Sequence, residues 1–138
     1  MKITIMATIK KFEDLEVWQK ARILENKIFP LTETGKFSKD FKLKDQINDA
    51  TGSAMDNIAE GFGRGSRLEF IQFLTVARGS ASEVQSQLYR ASDRKYISTE
   101  QFQELYNLAN EICKMITGFV EYLNKSDHKG QKFKDRKK

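Results

Sequence analysis

The chain has few of the residues that staple or interrupt a fold. Its 138 residues hold one cysteine (Cys113), one proline (Pro30), one tryptophan (Trp18) and one histidine (His128). A lone cysteine excludes an intramolecular disulfide and suits a reducing, cytoplasmic location. One proline and eight glycines permit long uninterrupted helices. No cluster of histidine, cysteine and carboxylate has metal-ligand spacing, so neither a metal nor a cofactor is expected. Catalysis finds no purchase either. His128 lies in a lysine-rich end segment, and Cys113 adjoins the apolar Ile112 and reads as a small buried hydrophobe. Glu104, Glu111 and Glu121 read as a solvated helix face, so an enzyme is not expected. The opening "MKITIMATIKK" is too short an apolar run for a signal peptide, and no stretch approaches a membrane span.

What is present suits one globular domain, with 39% hydrophobic and 31% charged residues. The net charge of +5 is unevenly placed. Residues 124–138, "NKSDHKGQKFKDRKK", hold seven Lys/Arg against two Asp and so carry all of it. The other 123 residues balance, 17 basic against 17 acidic, but residues 64–95 are +3 and residues 96–123 are −3. The expected division is a flexible arm over 1–11, a folded body over 12–124 and a basic, disordered tail over 125–138. The tail reads as solubilising, with a nucleic-acid arm as the alternative.

Helical periodicity runs through the body. Val17, Ala21, Leu24, Ile28 and Leu31 form one stripe, with Asp14 as a plausible cap and Pro30 kinking or ending the last turn. Leu43, Ile47, Ala50, Ala54 and Ile58 form a second, beginning after Ser38. Phe70, Leu74, Ala77, Ala81, Val84, Leu88 and Ala91 form the third, and Phe102, Leu105, Ala109, Ile112, Ile116, Phe119 and Leu123 the fourth. "SRLE" (Ser66–Glu69) and "STEQ" (Ser98–Gln101) are capping boxes ahead of the last two. Short connections between antiparallel rods predict an all-α, up-down-up-down four-helix bundle.

Two small-residue runs, "ATGSA" (50–54) and "ARGSAS" (77–82), fall at one level when the chain folds back around Arg64. Close approach of the two backbones is the favoured reading, and a local bend competes with it. The third helix also has more apolar surface than one core stripe needs. Leu68, Ile71, Phe73 and Val76 lie beside that stripe, and with Trp18 and Phe62 they are candidates for a subunit contact. A tilted bundle that buries them internally is the alternative.

The stretch "NIAEGFGRGSRLEF" (57–70) invites a phosphate-binding reading, but its glycines 61, 63 and 65 fit neither G-x-x-x-x-G-K-[ST] nor G-x-G-x-x-G. It reads as a corner: Gly61–Gly65 end one helix and Ser66 caps the next. The free amides beside Arg64 and Arg67 could still take a nucleic-acid phosphate, Glu60 or a neighbour's carboxylate.

These same residues carry a family likeness. "FEDLEVWQKA", "LKDQINDATGSAMDNIAEGFGRGSRLEFIQFLTVARGSASEV" and "YIS" resemble the bacterial four-helix-bundle family of 23S rRNA-intervening-sequence proteins, which includes the Avd accessory proteins of diversity-generating retroelements. The likeness runs from about Phe12 to Leu123, and its most specific block is Asn57–Leu74. It implies a cytoplasmic bundle assembled as a homopentamer with a basic surface, without established catalysis. For Avd-type members it further implies binding to nucleic acid and to a partner reverse transcriptase. Carried onto this chain, the basic stripe is Arg64, Arg67, Arg78, Arg90, Arg94 and Lys95. One departure stands out. Relatives often have an arginine pair where this chain has Asn48 and Asp49. The leading expectation is a non-catalytic oligomeric accessory protein binding RNA or DNA through phosphates. The alternative is a protein-interaction scaffold, for example recruiting a reverse transcriptase, whose arginines serve subunit or partner contacts.

Overall fold

A computed structural model of the chain describes the backbone of residues 9–136 and the side chains of residues 9–125. Expectations for the first eight residues, for the side chains past Lys125 and for His128 lie outside the described residues. The elements are a 3-10 turn at Phe12–Asp14, α1 (Glu16–Thr32), a second 3-10 turn at Gly35–Lys39, α2 (Phe41–Gly63), α3 (Arg67–Asp93) and α4 (Thr99–Arg136). Each helix packs against its neighbours in sequence, and α1 closes the ring against α4, giving an antiparallel up-down-up-down bundle. The last helix runs through most of the segment read from sequence as a tail.

The heptad stripes form the core. Every named position of the second and third stripes is buried, and Leu24, Ile47, Ala54, Leu74, Ala77, Ala81, Ala109, Ile112 and Ile116 are inaccessible to solvent. At the margins Leu31, Phe102 and Phe119 are half-buried against this core.

Helix ends follow local chemistry with two departures from expectation. Asp14 does not cap α1. The N-cap is Leu15, which makes no side-chain cap bond and is itself buried. Burial of an apolar side chain there outweighs the gain of about 1 kcal/mol from a polar cap. Nor does α2 begin after Ser38. The chain first makes the second 3-10 turn, which buries Phe37, and then Asp40 caps α2 by accepting from the Leu43 amide at 3.2 Å. The other two helices begin at the expected caps, but only the second forms a full box, because the Glu69 carboxylate pairs with Arg64 rather than returning to the Ser66 amide. Ser66 Oγ accepts from the Glu69 amide at 3.4 Å. Ser98 and Gln101 form a reciprocal box, with bonds of 3.0 and 2.8 Å. Pro30 sits inside the last turn of α1, and its missing amide removes one helical bond without ending the helix before Thr32.

The close approach of α2 and α3 is real, but the glycines of the small-residue runs do not produce it. The runs meet through Ser53 Oγ and Ser80 Oγ, 2.8 Å apart, between the buried Ala50, Ala54, Ala77 and Ala81. A Cβ built on Gly52 or Gly79 would meet nothing within 4 Å. The demanding glycine is Gly61, which lies inside α2 rather than in the turn. A Cβ there would stand 2.6 Å from Phe73 Cβ and 3.0 Å from Phe70 Cδ1.

These two kinds of glycine should respond oppositely to substitution. Gly61→Ala forces α3 away or strains Phe73, and should cost about 1–3 kcal/mol in urea unfolding. Gly79→Ala fills open space in a helix interior and should gain up to about 1 kcal/mol. Equal effects from the two substitutions would contradict this account of the α2–α3 seam.

Candidate nucleic-acid interface

The glycine-arginine corner is built chiefly for packing. Gly65 has φ +71°, the left-handed conformation that turns the chain between helices. Arg64 then lies among groups of its own chain. Its guanidinium pairs with Glu60 at 3.0 Å and Glu69 at 3.6 Å, and it covers the Phe73 ring at 5.1 Å from the centroid. Of the candidate anions for this corner, the chain's own carboxylates are the ones in place. Arg67, at the start of α3, is half-buried.

The remaining arginines diverge rather than form one stripe. Arg78 is turned toward α4 and donates to Thr117 Oγ1 at 3.2 Å. Arg90 is turned toward α2 and donates to Gln46 Oε1 at 2.7 Å. Arg94 pairs with Asp40 at 2.8 Å, while Lys95 is exposed. The 27 residues of α3 span about 40 Å, so Arg64 and Arg67 lie at one end of the bundle and Arg94 and Lys95 at the other. The −3 charge of the fourth segment is met partly inside the chain, by α1 rather than by the basic third helix. On α4, Glu104 and Glu111 pair with Lys27 and Lys20 of α1, at 2.9 and 3.3 Å.

Asp40 carries a role that the sequence reading did not single out. Besides capping α2, its Oδ2 accepts from Tyr96 Oη and Arg94 Nη1, both at 2.8 Å. Tyr96 in turn stacks on buried Phe37 at 5.2 Å, so a single carboxylate ties the α1–α2 turn to the α3–α4 turn. The Tyr96 hydroxyl, the Leu43 amide and Arg94 together hold the Asp40 carboxyl below its ordinary value against the opposing effect of desolvation. The same bond to Asp40 raises the Tyr96 hydroxyl. Lys95 completes the α3 terminus in a left-handed conformation, φ 61°, with the Tyr96 amide bonded to Ala91 O and its own amide to Ser92 O.

The candidate subunit-contact residues also separate. Leu68 and Val76 are about half exposed, at 51% and 52%. Ile71 and Phe62 are partly buried against the core, and Phe73 is occupied by Gly61 and Arg64. Trp18 is buried within the chain, edge-on to Phe12 at 5.0 Å and beneath Arg22, so it offers little surface to a neighbour. Sequence reasoning passed over other exposed apolar groups, namely Ile23 and Phe29 on α1, Phe41 on α2 and Tyr89 on α3. Their shared signal is an apolar residue off its helix's core stripe.

Two features bear on the departure noted at Asn48 and Asp49. Asn48 is turned to α1, donating to Thr32 Oγ1 at 3.0 Å. Asp49 is exposed, as are Asp45 and Asp56, so the outer face of α2 is acidic. Cys113 is half-buried, with Sγ 3.7 Å from Ser82 Oγ. Among the described residues no helix is long and apolar enough to cross a membrane.

The architecture defines the class: an all-α four-helix bundle whose arginines are largely engaged by their own chain. Residues 13–118 match the family model described as 23S rRNA-intervening sequence protein, and the chain belongs to that family. A similar solved structure is a protein of unknown function from the S23 ribosomal protein family of Bacteroides thetaiotaomicron. It is 25% identical, with a TM-score of 0.69 covering 75% of this chain and 97% of the other. No functionally curated protein matches the chain.

The Asp40 hub makes a pH-dependent prediction. Asp40→Ala should lower stability by about 2 kcal/mol at neutral pH, through the lost cap and the stranded Tyr96 and Arg94 partners. Because the folded-state pKa is depressed, this contribution is present above the ordinary carboxylate value and fades as pH falls through the lowered one. The gap between wild type and variant in urea unfolding should therefore narrow below roughly pH 4. A gap constant down to pH 2 would refute the assignment.

Proposed function

We propose that the protein is a non-catalytic, oligomeric accessory protein that binds nucleic acid through backbone phosphates, as its family resemblance implies. The observation that carries this reading is where uncommitted positive charge lies. The flank arginines have partners within the chain, and α2 is acidic outside. Exposed lysines gather instead at the end of the bundle formed by the α1–α2 and α3–α4 turns, at Lys36, Lys39, Lys42 and Lys95. Seven further basic residues follow position 124 in the sequence, from where the last helix runs away from that end. Of the residues expected to meet phosphate, Lys95 is the best placed. Arg64, Arg67, Arg78, Arg90 and Arg94 would act by adding to the field or by exchanging partners on binding.

Assembly belongs to the same proposal. The exposed pair Leu68 and Val76 lies on α3, and Ile23 and Phe29 lie on α1, the helix diagonal to it in the bundle. Different exposed apolar groups on diagonal helices favour a head-to-tail contact over a two-fold one, and such a contact gives a ring where the rotation between copies closes and an open filament where it does not. A cytoplasmic homopentamer is the assembly proposed. These patches also support the second reading, a scaffold that recruits a protein partner, such as the reverse transcriptase of an Avd-type retroelement system.

Two measurements decide between these readings. Full-length protein should retain RNA or DNA at low salt, with a log–log salt slope of about −0.7 per phosphate on single strands and −0.9 on duplex DNA. No retention at low salt would leave the scaffold reading. Light scattering should report an oligomer at micromolar concentration that both Leu68→Glu/Val76→Glu and Ile23→Glu/Phe29→Glu dissociate. A wild-type monomer would remove the ring.

A further inference from the structure

The most exposed large apolar side chain of the described residues is Phe41, at 70%, and it lies within the basic end of the bundle. Residues 36–44, "KFSKDFKLK", hold four lysines against one aspartate. Asp40 is committed to Tyr96, Arg94 and the Leu43 amide, and Lys44 pairs with Glu33 at 3.0 Å. The uncommitted charges of this corner are therefore Lys36, Lys39 and Lys42, all exposed without an ion pair among the described residues, joined by Lys95 from the loop that Asp40 holds alongside. Exposed acids at this end are Asp45, one turn further along α2, Asp93, at the end of α3, and Glu100, in the first turn of α4, besides Glu33, which Lys44 pairs.

We propose that this corner is a stacking site for single-stranded nucleic acid, in which Phe41 carries an unpaired base and Lys36, Lys39, Lys42 and Lys95 hold the adjoining phosphates. The inference rests on the nucleic-acid reading above and gives it a site and a strand preference. Three features support it. The first is rigidity: Phe37 is buried and stacked on Tyr96, and Asp40 pins the first turn of α2. The Phe41 backbone is thus fixed before any ligand arrives, and little ordering is required on binding. The second is spacing. Lys36 and Lys39 are three residues apart in a 3-10 turn, where side chains at that separation eclipse one another with about 6 Å of rise, placing two ammonium groups on one side of the turn. The third is chemistry. A lone exposed ring among lysines suits a base whose π-face is free, and sequence is immaterial because every base has one. A duplex keeps its bases stacked and offers phosphates, 2′-hydroxyls and groove edges but no free base face. A membrane surface needs a broad apolar face, which one phenylalanine does not provide.

The test uses full-length protein and fluorescence anisotropy with a labelled oligouridine, a blunt RNA duplex of equal length, and anionic phosphatidylserine vesicles. Phe41→Ala should weaken oligouridine binding about 5- to 100-fold and leave duplex binding nearly unchanged, and Phe41→Trp should restore it. Lys36→Ala/Lys39→Ala/Lys42→Ala should make the single-strand salt slope shallower by about 2. Phe41 is exposed, so the variants should unfold in urea as the wild type does, which separates lost binding from lost fold. If wild type binds oligouridine but Phe41→Ala binds equally well, or loses duplex binding in parallel, this site is wrong and the broader nucleic-acid reading stands. If wild type binds neither RNA, both fall. Phe41-dependent binding to vesicles without binding to RNA overturns the inference in favour of a lipid surface.

Discussion

The seam between α2 and α3 sets the geometry on which the other features depend. Along it the side chains are short: Ala50, Ala54 and Gly61 on one helix, Ala77 and Ala81 on the other, with the Ser53–Ser80 hydroxyl contact at 2.8 Å between them. Short side chains bury little apolar area each, so the seam's contribution comes from dispersion contacts between closely spaced backbones. Gly61 marks the limit, since one added carbon would collide with Phe73. Drawing α3 toward α2 in this way fixes its rotation. Ser80 and Phe73 face the seam, Arg90 comes within reach of Gln46, and Leu68 and Val76 are left on the outside.

The same rotation decides which charges are available to a ligand. An exposed ion pair contributes at most about 1 kcal/mol to stability, so the pairs of Arg64 with Glu60 and Glu69 are not what holds the bundle together. Their consequence is electrostatic, because a guanidinium flanked by two carboxylates presents little net positive field. Arg94 at the other end is likewise matched by Asp40. Arg78 and Arg90 keep their charge, but their donors are already partly engaged by Thr117 and Gln46. A phosphate approaching the flank must compete with these partners, whereas one approaching Lys36 or Lys39 competes only with water.

What was legible in the sequence follows from the range of each interaction. The stripes and the "STEQ" box depend on residues three or four apart, and the chain states them directly. The Asp40 hub joins residues separated by 54 and 56 positions, and no local pattern announces it. The glycines show a subtler limit. Gly52, Gly61 and Gly79 all lie in small-residue surroundings, but only the rotation of each helix decides which one faces a neighbour, and that rotation emerges from all four stripes together. The arginine set failed as a stripe for the same reason. Arg78 and Arg90 are close in sequence but lie on opposite sides of α3, one toward α4 and the other toward α2. Phe41 was readable in principle as an apolar residue displaced from the Leu43–Ile47 stripe, and it was overlooked because a single off-stripe aromatic is common on any surface.

The distribution of charge and exposed apolar groups has a consequence for assembly. Exposed apolar groups occupy the flanks of α1 and α3, the lysine corner occupies one end of the bundle, and α4 runs out at the other. Contacts between copies through the flanks would therefore leave both ends uncovered, and a head-to-tail ring would present the same lysine corner once per subunit on one rim. A strand crossing several such corners would dissociate only when all of them released together. Weak, sequence-tolerant contacts at each corner would then sum to tight binding without any single strong site. Flank arginines satisfied within their own chain fit this arrangement, because unpaired cations facing one another across each subunit contact would repel and open the ring.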